Sequence, residues 1–352
     1  MSRIVAVRTR VVSRPLHTTF TTALRSTDTT DAVLVEVEDS DGVIGHGEAP
    51  VVPAVTGEDE PGIRAALTGP LHDVVLGVGT DDLPDLLSRV AGAVPGRPSA
   101  RAGVDVALHD LAARRAGVPL AVLLGGEVGD VPTDVTVAAG DAASLAAAAC
   151  DRVADGFTAL KLKVGTNAAT DVARVRAVRS AVGPAVVIRL DANQGWTPDQ
   201  AVRVIRALED AGAGVELVEQ PVPAADLDGL ARVTAAVSTH VMADEAVFTL
   251  ADLSAVIERG AATLVNVKLA KAGGLAPAHE QLVLAAAHGI GTMVGSMMET
   301  GVGVAGSLVA AVGTTLVCDL DAAWWLADGA APVSYDAGVL RLAGSPGLGL
   351  VR

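Results

Sequence analysis

The sequence has few cysteines, no long apolar run and little positive charge. Its two cysteines, Cys150 and Cys318, lie far apart along the chain. The first residues, Met1 to Arg10, alternate apolar and basic side chains and lack the apolar stretch of a signal peptide, so we expect free thiols rather than a disulfide. No segment approaches the ~20 apolar residues that span a bilayer. We therefore expect a cytoplasmic protein.

The shortage of positive charge restricts the partners. A formal net charge of −15 at pH 7 argues against nucleic acids and anionic membranes, because an acidic surface repels both. A small-molecule substrate is the remaining expectation, and an anionic one needs locally placed cations. Among the 26 basic residues, the only lysines are Lys161, Lys163, Lys268 and Lys271.

Those few lysines are informative. A sequence so poor in lysine keeps it most readily where arginine cannot substitute, notably where a side chain must lose and regain a proton. Lys161, Lys163 and Lys268 are therefore candidates for acid–base chemistry. Lys271 is predicted to be an ordinary exposed residue.

The order of the predicted elements divides the chain. At 352 residues it exceeds what one hydrophobic core usually carries. Residues 1–125 contain strands, including a hairpin at Asp41 and Gly42, followed by helices. This order predicts a separate α+β domain. The tail, residues 322–352, contains the strand-like segment Val339 to Leu342 and is expected to complete that domain.

Residues 126–321 show a different pattern. Short β-rich runs alternate with alanine-rich helical stretches roughly every 25 residues, as in a β/α barrel. An open doubly wound sheet is the alternative, but the sequence has no glycine-rich phosphate loop after its first strand. The predicted barrel strands are 134–138, 159–164, 185–191, 214–219, 240–244, 263–269, 291–295 and 315–321.

Three acids end three consecutive predicted strands. Asp191, Glu219 and Asp244 stand in the strings IRLDANQ, ELVEQP and VMADEA, and the carboxyl ends of barrel strands form the active-site face. Neighbouring carboxylates repel one another unless a cation lies among them, and oxygen ligands suit Mg²⁺. Asn193 and Glu245 are expected to support that metal. The alternative is that each acid caps a helix or pairs with an arginine.

The lysines suggest proton transfer on two faces. Lys161 and Lys163 point to the same side of one strand, and we expect two such close ammonium groups to depress each other's pKa. Lys268 ends the sixth predicted strand, opposite the second in a ring of eight. A substrate carbon at the axis would have a lysine on each face, and its configuration could be inverted. Surface cations on an edge strand are the alternative.

Two further acids, Asp319 and Asp321, end the eighth predicted strand. This strand lies opposite the fourth, in the middle of the predicted metal site. A molecule with its carboxylate on the metal would therefore carry a cation, such as an α-ammonium, at the two aspartates. Alternatively, the aspartates face the first helix or neutralise a nearby arginine.

These strings resemble a known family over essentially the full chain. ALKLKVG, LDANQGW, VEQP, ADE, NVKLAKAGGL and MVGSMMET are together typical of the enolase superfamily, in its muconate-lactonising-enzyme-like branch. The resemblance implies an enolase-type modified TIM barrel with an N-terminal α+β capping domain. It also implies Mg²⁺ at Asp191, Glu219 and Asp244, and Lys163 and Lys268 as the acid–base pair beside Lys161, acting through an enediolate.

Within that branch, the string DLD at Asp319 to Asp321 is similar to the Asp-x-Asp element of dipeptide epimerases. In that group it is expected to hold the substrate ammonium. The implied reaction is inversion at the α-carbon of a dipeptide's C-terminal residue, with L-Ala-L/D-Glu as one candidate. By the same resemblance, Arg25 is expected to contact a glutamate carboxylate, although it stands near Asp28 and is equally explained as a surface residue. We also expect a homo-oligomer, as is common for such barrels.

Other activities remain open. An N-acylamino-acid racemase or o-succinylbenzoate synthase also uses lysines on both faces, but its substrate has no free ammonium for the aspartates. A muconate-type cycloisomerase has no evident use for them either. Acid-sugar dehydratases usually carry a late catalytic histidine, whereas His279 and His288 fall on or beside a predicted helix. A non-catalytic barrel would have no reason to keep opposed lysines around an acidic triad.

Overall fold

An antiparallel sheet forms the first part of the described chain. The computed structural model describes residues 2–21, 26–138, 140–311, 316, 318–342 and 344–350. In it the sheet has the order β1 (Ile4–Thr21), β2 (Ser26–Asp39) and β3 (Ile44–Pro50). The predicted Asp-Gly turn joins β2 to β3, where Gly42 has a φ of +80°, a conformation that glycine adopts without strain.

Helices then cover one face of this sheet. They are α1 (Pro53–Thr56), α2 (Glu60–Thr68), α3 (Pro70–Val75), α4 (Leu83–Ala93), α5 (Pro98–Ala116) and α6 (Leu120–Leu123). The longest of them, α5, packs directly on β3. A Cβ atom at Gly47 would lie only 2.0 Å from the carbonyl oxygen of Gly103, and one at Gly45 would lie 2.1 Å from that of Ala107. Glycine is therefore required on this face of β3.

A ring of parallel strands follows the two-residue strand β4 (Val131–Pro132). Its sheet order runs from β11 through β10, β9, β8, β7 and β6 to β5. Parallel bridges from Thr133 to Cys318 and from Gly295 to Asp319 link its two edges. The ring strands are β5 (Val135–Val137), β6 (Ala159–Lys163), β7 (Val187–Asp191), β8 (Val215–Glu219), β9 (His240–Ala243), β10 (Leu264–Lys268) and β11 (Gly291–Gly295).

The ring confirms the predicted barrel. The predicted eighth strand, 315–321, is shorter than expected, because in its described part only the two bridge residues pair with neighbours. Helices surround the ring: α7 (Ala142–Ala154), α8 (Ala168–Val182), α9 (Pro198–Asp210), α10 (Leu227–Ala236), α11 (Leu250–Glu258), α12 (Leu269–Ala272), α13 (Leu275–Ala287) and α14 (Gly301–Ala311).

Side-chain caps fix where several barrel helices begin. A side-chain oxygen at the N-cap accepts a backbone N–H of the first turn, which satisfies a donor that the helix leaves open. This arrangement occurs in α7 to α11, at Asp141, Asn167, Thr197, Asp226 and Thr249.

The strands place charged residues inside the ring by simple alternation. On β6, Leu160 and Leu162 belong to the large apolar core, whereas Lys161 and Lys163 line the interior. A smaller apolar cluster fills the ring beneath the charged layer and consists of Leu217, Met242, Leu264 and Met293. Leu217 and Met242 precede Glu219 and Asp244 by two positions, so each pair points to the same side of its strand.

The tail contacts both parts of the chain. A 3-10 helix (Ala322–Trp325) leads to β12 (Val333–Asp336) and β13 (Val339–Leu342), and β13 pairs with β4. Leu326 bridges to Leu16 on β1, and Arg14 Nε lies 2.6 Å from Asp328 Oδ2. The division into domains at residues 125 and 321 stays a prediction.

Two buried acids of the first domain bind barrel helices at their N-termini. Glu48 accepts from the backbone N–H groups of Thr300 and Gly303 at 2.8 and 2.9 Å, at the start of α14. Asp105 accepts from the N–H of Leu275 at 2.6 Å, at the start of α13. Carboxylates are favourable there because helix N-termini carry partial positive charge. These contacts fix the first domain over β10 and β11.

The expectations about membrane spans and about the cysteines can be compared with the structure. Among the described residues, no helix is long and apolar enough to cross a bilayer, and a cytoplasmic location stays a prediction. Cys150 is exposed, Cys318 is buried, and no disulfide joins them.

The close approach of β3 to α5 can be tested by adding one methyl group. Gly47→Ala should lower the free energy of unfolding by about 1–3 kcal/mol, because the methyl would overlap the α5 backbone. Gly92→Ala is the matched control, since nothing lies within 4 Å of its added Cβ; it should raise stability by up to ~1 kcal/mol. Urea unfolding would measure both. Equal stability of the two variants would contradict the packing.

Candidate active site

A pocket lies at the carboxyl ends of the ring strands. Lys163, Asp191, Glu219 and Lys268 are the last residues of β6, β7, β8 and β10, and Asp244 directly follows β9. The predicted site residues that line the pocket are Lys161, Lys163, Asp244, Lys268, Asp319 and Asp321. The structure thus brings together all the predicted site residues except Arg25, which lies outside the described residues.

The three acids of the predicted metal site are buried side by side. Asp191, Glu219 and Asp244 are 1%, 0% and 2% exposed. Burial and the neighbouring charge of Asp191 raise the pKa of Glu219 well above its usual range. Burial also disfavours the charged form of Asp244, but Lys268 and Lys271 outweigh it and hold the pKa of that carboxyl well below its usual range.

Lysine ammonium groups neutralise these acids. Lys163 Nζ lies 2.5 Å from Asp191 Oδ2, and Lys268 Nζ lies 2.8 Å from Asp244 Oδ2. Glu219 has an ammonium near each oxygen, because Lys161 and Lys268 lie 3.9 Å from Oε2 and Oε1. Since β7, β8 and β9 separate β6 from β10, the lysines approach the acids from opposite sides of the ring.

The expectation that Lys161 and Lys163 depress each other's pKa is wrong for Lys161. Burial lowers the pKa of Lys161, but Asp319 and Glu219 raise it more, so it lies well above its usual value. Lys268 behaves similarly: burial opposes its charge, yet Asp244 and Glu219 raise its pKa. The carboxylates within reach outnumber the ammonium groups, and opposite charges favour the ionised form.

The oxygen atoms around Asp191, Glu219 and Asp244 are suitable ligands for a hard cation. Glu219 Oε2, Asn193 Oδ1 and Glu245 Oε2 are buried oxygens with no hydrogen-bond partner in the described structure. Asn193 also donates to Asp191 Oδ2 and Glu245 Oε1 at 3.2 and 3.3 Å. Carboxylate and amide oxygens are the ligands that Mg²⁺ and Ca²⁺ prefer.

The carboxylates of this group form ion pairs with lysines. Within the described ranges, no three His, Cys, Asp or Glu side chains are grouped to hold a metal. Lys163 and Lys268 contact Asp191 and Asp244 directly. The residue types around Asp191, Glu219 and Asp244 fit a divalent cation.

Asp319 and Asp321 line the pocket. One carboxylate oxygen of each, Oδ2, is held by hydrogen bonds. Asp319 Oδ2 accepts from Lys161 Nζ and, at 3.4 Å, from Asn266 Nδ2. Burial opposes ionisation of Asp319, but Lys161 and other lysines lower its pKa to about 2. Among the described residues, no donor reaches Oδ1 of either aspartate. The alternative of a neighbouring arginine does not apply, since the partner of Asp319 is a lysine.

Sequence reasoning missed two residues of the cluster. Lys271 is 2% exposed rather than solvated: its Nζ lies 2.6 Å from Asp244 Oδ1 and donates to the carbonyl oxygen of Asn266 at 3.1 Å. Asn266 Nδ2 donates to Glu219 Oε1 at 2.7 Å. Both residues had a signal in the sequence. The scarcity of lysine applied to Lys271 as much as to the other three lysines. Asn266 precedes Lys268 by two positions, so both side chains lie on the same face of the strand.

A further buried acid, Glu299, holds the loop that follows β11 and carries Met297. Glu299 Oε1 accepts from the backbone N–H of Met297 at 3.0 Å, and Met297 lines the pocket. Burial and the charge of Glu48 raise the pKa of Glu299 to about 8. Glu299 therefore holds its proton in the folded protein at pH values where an unfolded glutamate has lost it.

This proton makes stability depend on pH. Between pH 4.5 and 8 the folded state binds the proton and the unfolded state does not, so the free energy of unfolding falls as pH rises, by at most ~1.4 kcal/mol per pH unit. Glu299→Gln keeps the Oε1 acceptor and removes the titration. We expect it to lose less stability than wild type between pH 5 and pH 8 in urea unfolding. Glu280→Gln, at an exposed position, should keep the wild-type slope; identical slopes for all three proteins would contradict this account.

Comparison with known proteins identifies the family of the chain. Two family descriptions match the chain: "Mandelate racemase / muconate lactonizing enzyme, N-terminal domain" over residues 3–125, and "Enolase C-terminal domain-like" over residues 144–351. The L-Ala-D/L-Glu epimerase of Bacillus subtilis is 39% identical over 99% of this chain and 97% of its own length. The hydrophobic dipeptide epimerase of Enterococcus faecalis is 36% identical over 99% of both chains.

Solved structures agree with these relatives. A substrate-liganded complex of the Bacillus subtilis epimerase superposes with a TM-score of 0.96 over 99% of both chains at 39% identity. The Enterococcus faecalis dipeptide epimerase, complexed with Mg and L-Leu-L-Tyr, gives a TM-score of 0.93 at 35% identity over 99% of this chain and 100% of that chain. The predicted enzyme class, an isomerase, and the predicted fold are confirmed. The chain belongs to the enolase superfamily, in the branch of mandelate racemase and muconate lactonizing enzyme.

Proposed function

We propose that this protein is a dipeptide epimerase that inverts the α-carbon of the substrate's C-terminal residue. The observation that carries the proposal is the pair Lys163 and Lys268, which come from strands across the ring and both line the pocket. Inversion requires one group to remove a proton from one face and another to deliver a proton to the opposite face. The dipeptide epimerases among the relatives support this assignment.

The substrate's two charged ends define its orientation. The open Oδ1 atoms of Asp319 and Asp321 offer acceptors for an α-ammonium, and charge-assisted hydrogen bonds of this kind are among the stronger ones in proteins. The substrate carboxylate then lies toward Asp191, Glu219 and Asp244. An N-acyl substrate has no ammonium, so it would leave the two aspartates without a cationic partner. The aspartates therefore favour a free dipeptide over an N-succinyl amino acid.

We assign Mg²⁺ to the three acids. Asp191, Glu219 and Asp244 would hold it, with Asn193 and Glu245 supporting them. When bound, the metal supplies positive charge that stabilises the negative charge developing on the substrate carboxylate. The structure of the Enterococcus faecalis relative with Mg and a dipeptide supports this choice.

The lysines then have separate roles. Lys163 and Lys268 come from strands across the ring and line the pocket, so they would reach the α-carbon from opposite faces. The neutral lysine takes the α-proton, and the ammonium on the other side donates its proton to the carbon. Lys161 keeps its charge because Asp319 and Glu219 surround it. Its role is therefore to hold Asp319 and to add positive charge near the reacting carboxylate.

The proposed reaction is tested by proton NMR in D₂O. Purified protein with Mg²⁺ and a library of L,L-dipeptides that includes L-Ala-L-Glu should lose the C-terminal α-proton signal and form the L,D diastereomer. The same sample with a chelator is the control and should show no exchange. Exchange with N-succinyl amino acids but with no dipeptide would replace the epimerase by an N-acylamino-acid racemase. Exchange with neither substrate class would remove both activities.

The two-lysine mechanism makes a sharper prediction. Lys163→Ala and Lys268→Ala should each lower the rate of inversion by at least ~10²-fold, since each removes one proton-transfer group. Each variant should still exchange the α-proton of one diastereomer with D₂O, because the remaining lysine faces that proton. The two variants should retain opposite diastereomers. Retention of the same diastereomer by both would rule out lysines on opposite faces.

A further inference from the structure

Trp325 is buried directly behind one of the two aspartates. It lies in the 3-10 helix that follows Asp321 and is 3% exposed. Its indole N–H donates to Asp321 Oδ2 at 2.9 Å, and the backbone N–H of Thr136 donates to the same oxygen at 2.7 Å. Two donors from separate parts of the chain thus occupy this oxygen.

This anchoring determines what Asp321 offers to the pocket. With Oδ2 held by two donors, the carboxylate cannot rotate without breaking a buried hydrogen bond, which costs the desolvation of an unpaired group. Its other oxygen, Oδ1, has no donor among the described residues. One acceptor therefore has a fixed direction before any ligand arrives, and preorganisation of this kind improves affinity.

The indole ring also connects Asp321 to the first domain. The ring of Trp325 stacks on His17, with centroids 5.2 Å apart and planes at 20°. It meets Phe20 edge to face at 5.6 Å. Both partners belong to β1, and Phe20 lines the pocket. The N–H of Trp325 thus contacts a pocket aspartate while its ring packs on the end of β1.

We propose that Trp325 is a positioning residue that orients Asp321 to accept the α-ammonium of the substrate and couples this orientation to the end of β1. The inference rests on the proposed function, because the ammonium is that of the dipeptide. Trp325 itself touches no reacting atom. Its effect should therefore fall on binding of the ammonium and much less on proton transfer.

Trp324 provides a matched control. It lies in the same 3-10 helix, and its ring meets His17 at 4.8 Å and Phe157 at 5.5 Å. It also carries the guanidinium of Arg152 at 4.6 Å from the ring centroid. Its ring also meets that of Trp325 edge to face at 5.1 Å. Only the backbone N–H of Trp324 donates to Asp321, at the carbonyl oxygen and 2.9 Å away, so its side chain makes no bond to the Asp321 carboxylate. Trp324→Phe thus removes an indole from the same cluster and leaves the bond to Asp321 in place.

The test compares Trp325→Phe with Trp324→Phe. If Asp321 loses its orientation, the charge-assisted hydrogen bond between it and the substrate ammonium weakens, and full loss of such a bond is worth about 10- to 100-fold in affinity. W325F should therefore raise KM for L-Ala-L-Glu by up to about that factor, with a much smaller change in kcat. W324F should stay within about threefold of wild type. Binding of the N-acetylated dipeptide, measured by calorimetry with Mg²⁺, should be the same in W325F and wild type, because this ligand has no ammonium.

Each other result overturns the proposal. Equal loss of affinity for the free and the N-acetylated dipeptide in W325F would show a general packing role, and equal effects of W325F and W324F would show the same. If W325F does not fold, 3-benzothienylalanine at position 325 keeps the fused rings without the N–H and makes the same test. Failure of the proposed function is seen separately, since wild-type protein would then show no preference for the free dipeptide.

Discussion

Neutralisation of buried charge is the constraint on which the site depends. Lys161, Lys163 and Lys268 and the acids around them lie in the interior of the ring with almost no exposure. An isolated ion there would cost several kcal/mol, so each charge persists only because an opposite one lies within reach. Neighbouring strands are ~4.8 Å apart, which brings the last residue of one strand against the last residue of the next.

The same constraint explains why much of the site is predictable from sequence. Most charges of the barrel strands stand at or directly after the last strand residue, so their positions indicate the active-site end; Arg189, buried within β7 against Asp134, is an exception. Alternation then puts Lys161 and Lys163 on one side, and the parallel ring aligns Asp191 with Glu219. The barrel and the opposed lysines need only these local rules. The first domain was predictable for the same reason, since its hairpin and long helix are local features.

Properties that depend on distant partners were not predictable. Lys271 lies in α12, which has four residues and is too short for a periodic pattern to show its buried face. The high pKa of Lys161 depends on how many carboxylates surround it, and this requires coordinates. The two donors to Asp321 Oδ2 come from Thr136 and Trp325, nearly two hundred residues apart. No local rule relates those positions.

The aromatic cluster also gives the protein an optical property. The chain has three tryptophans and one tyrosine, and Trp324 and Trp325 adjoin the aspartates of the pocket. The third, Trp196, is buried and donates to Asp171 on α8. Two of the three indoles therefore lie beside the site, and indole emission responds to nearby charge and polarity. Ligand entry can thus be followed in the unlabelled protein, a consequence of how few other fluorophores the sequence contains.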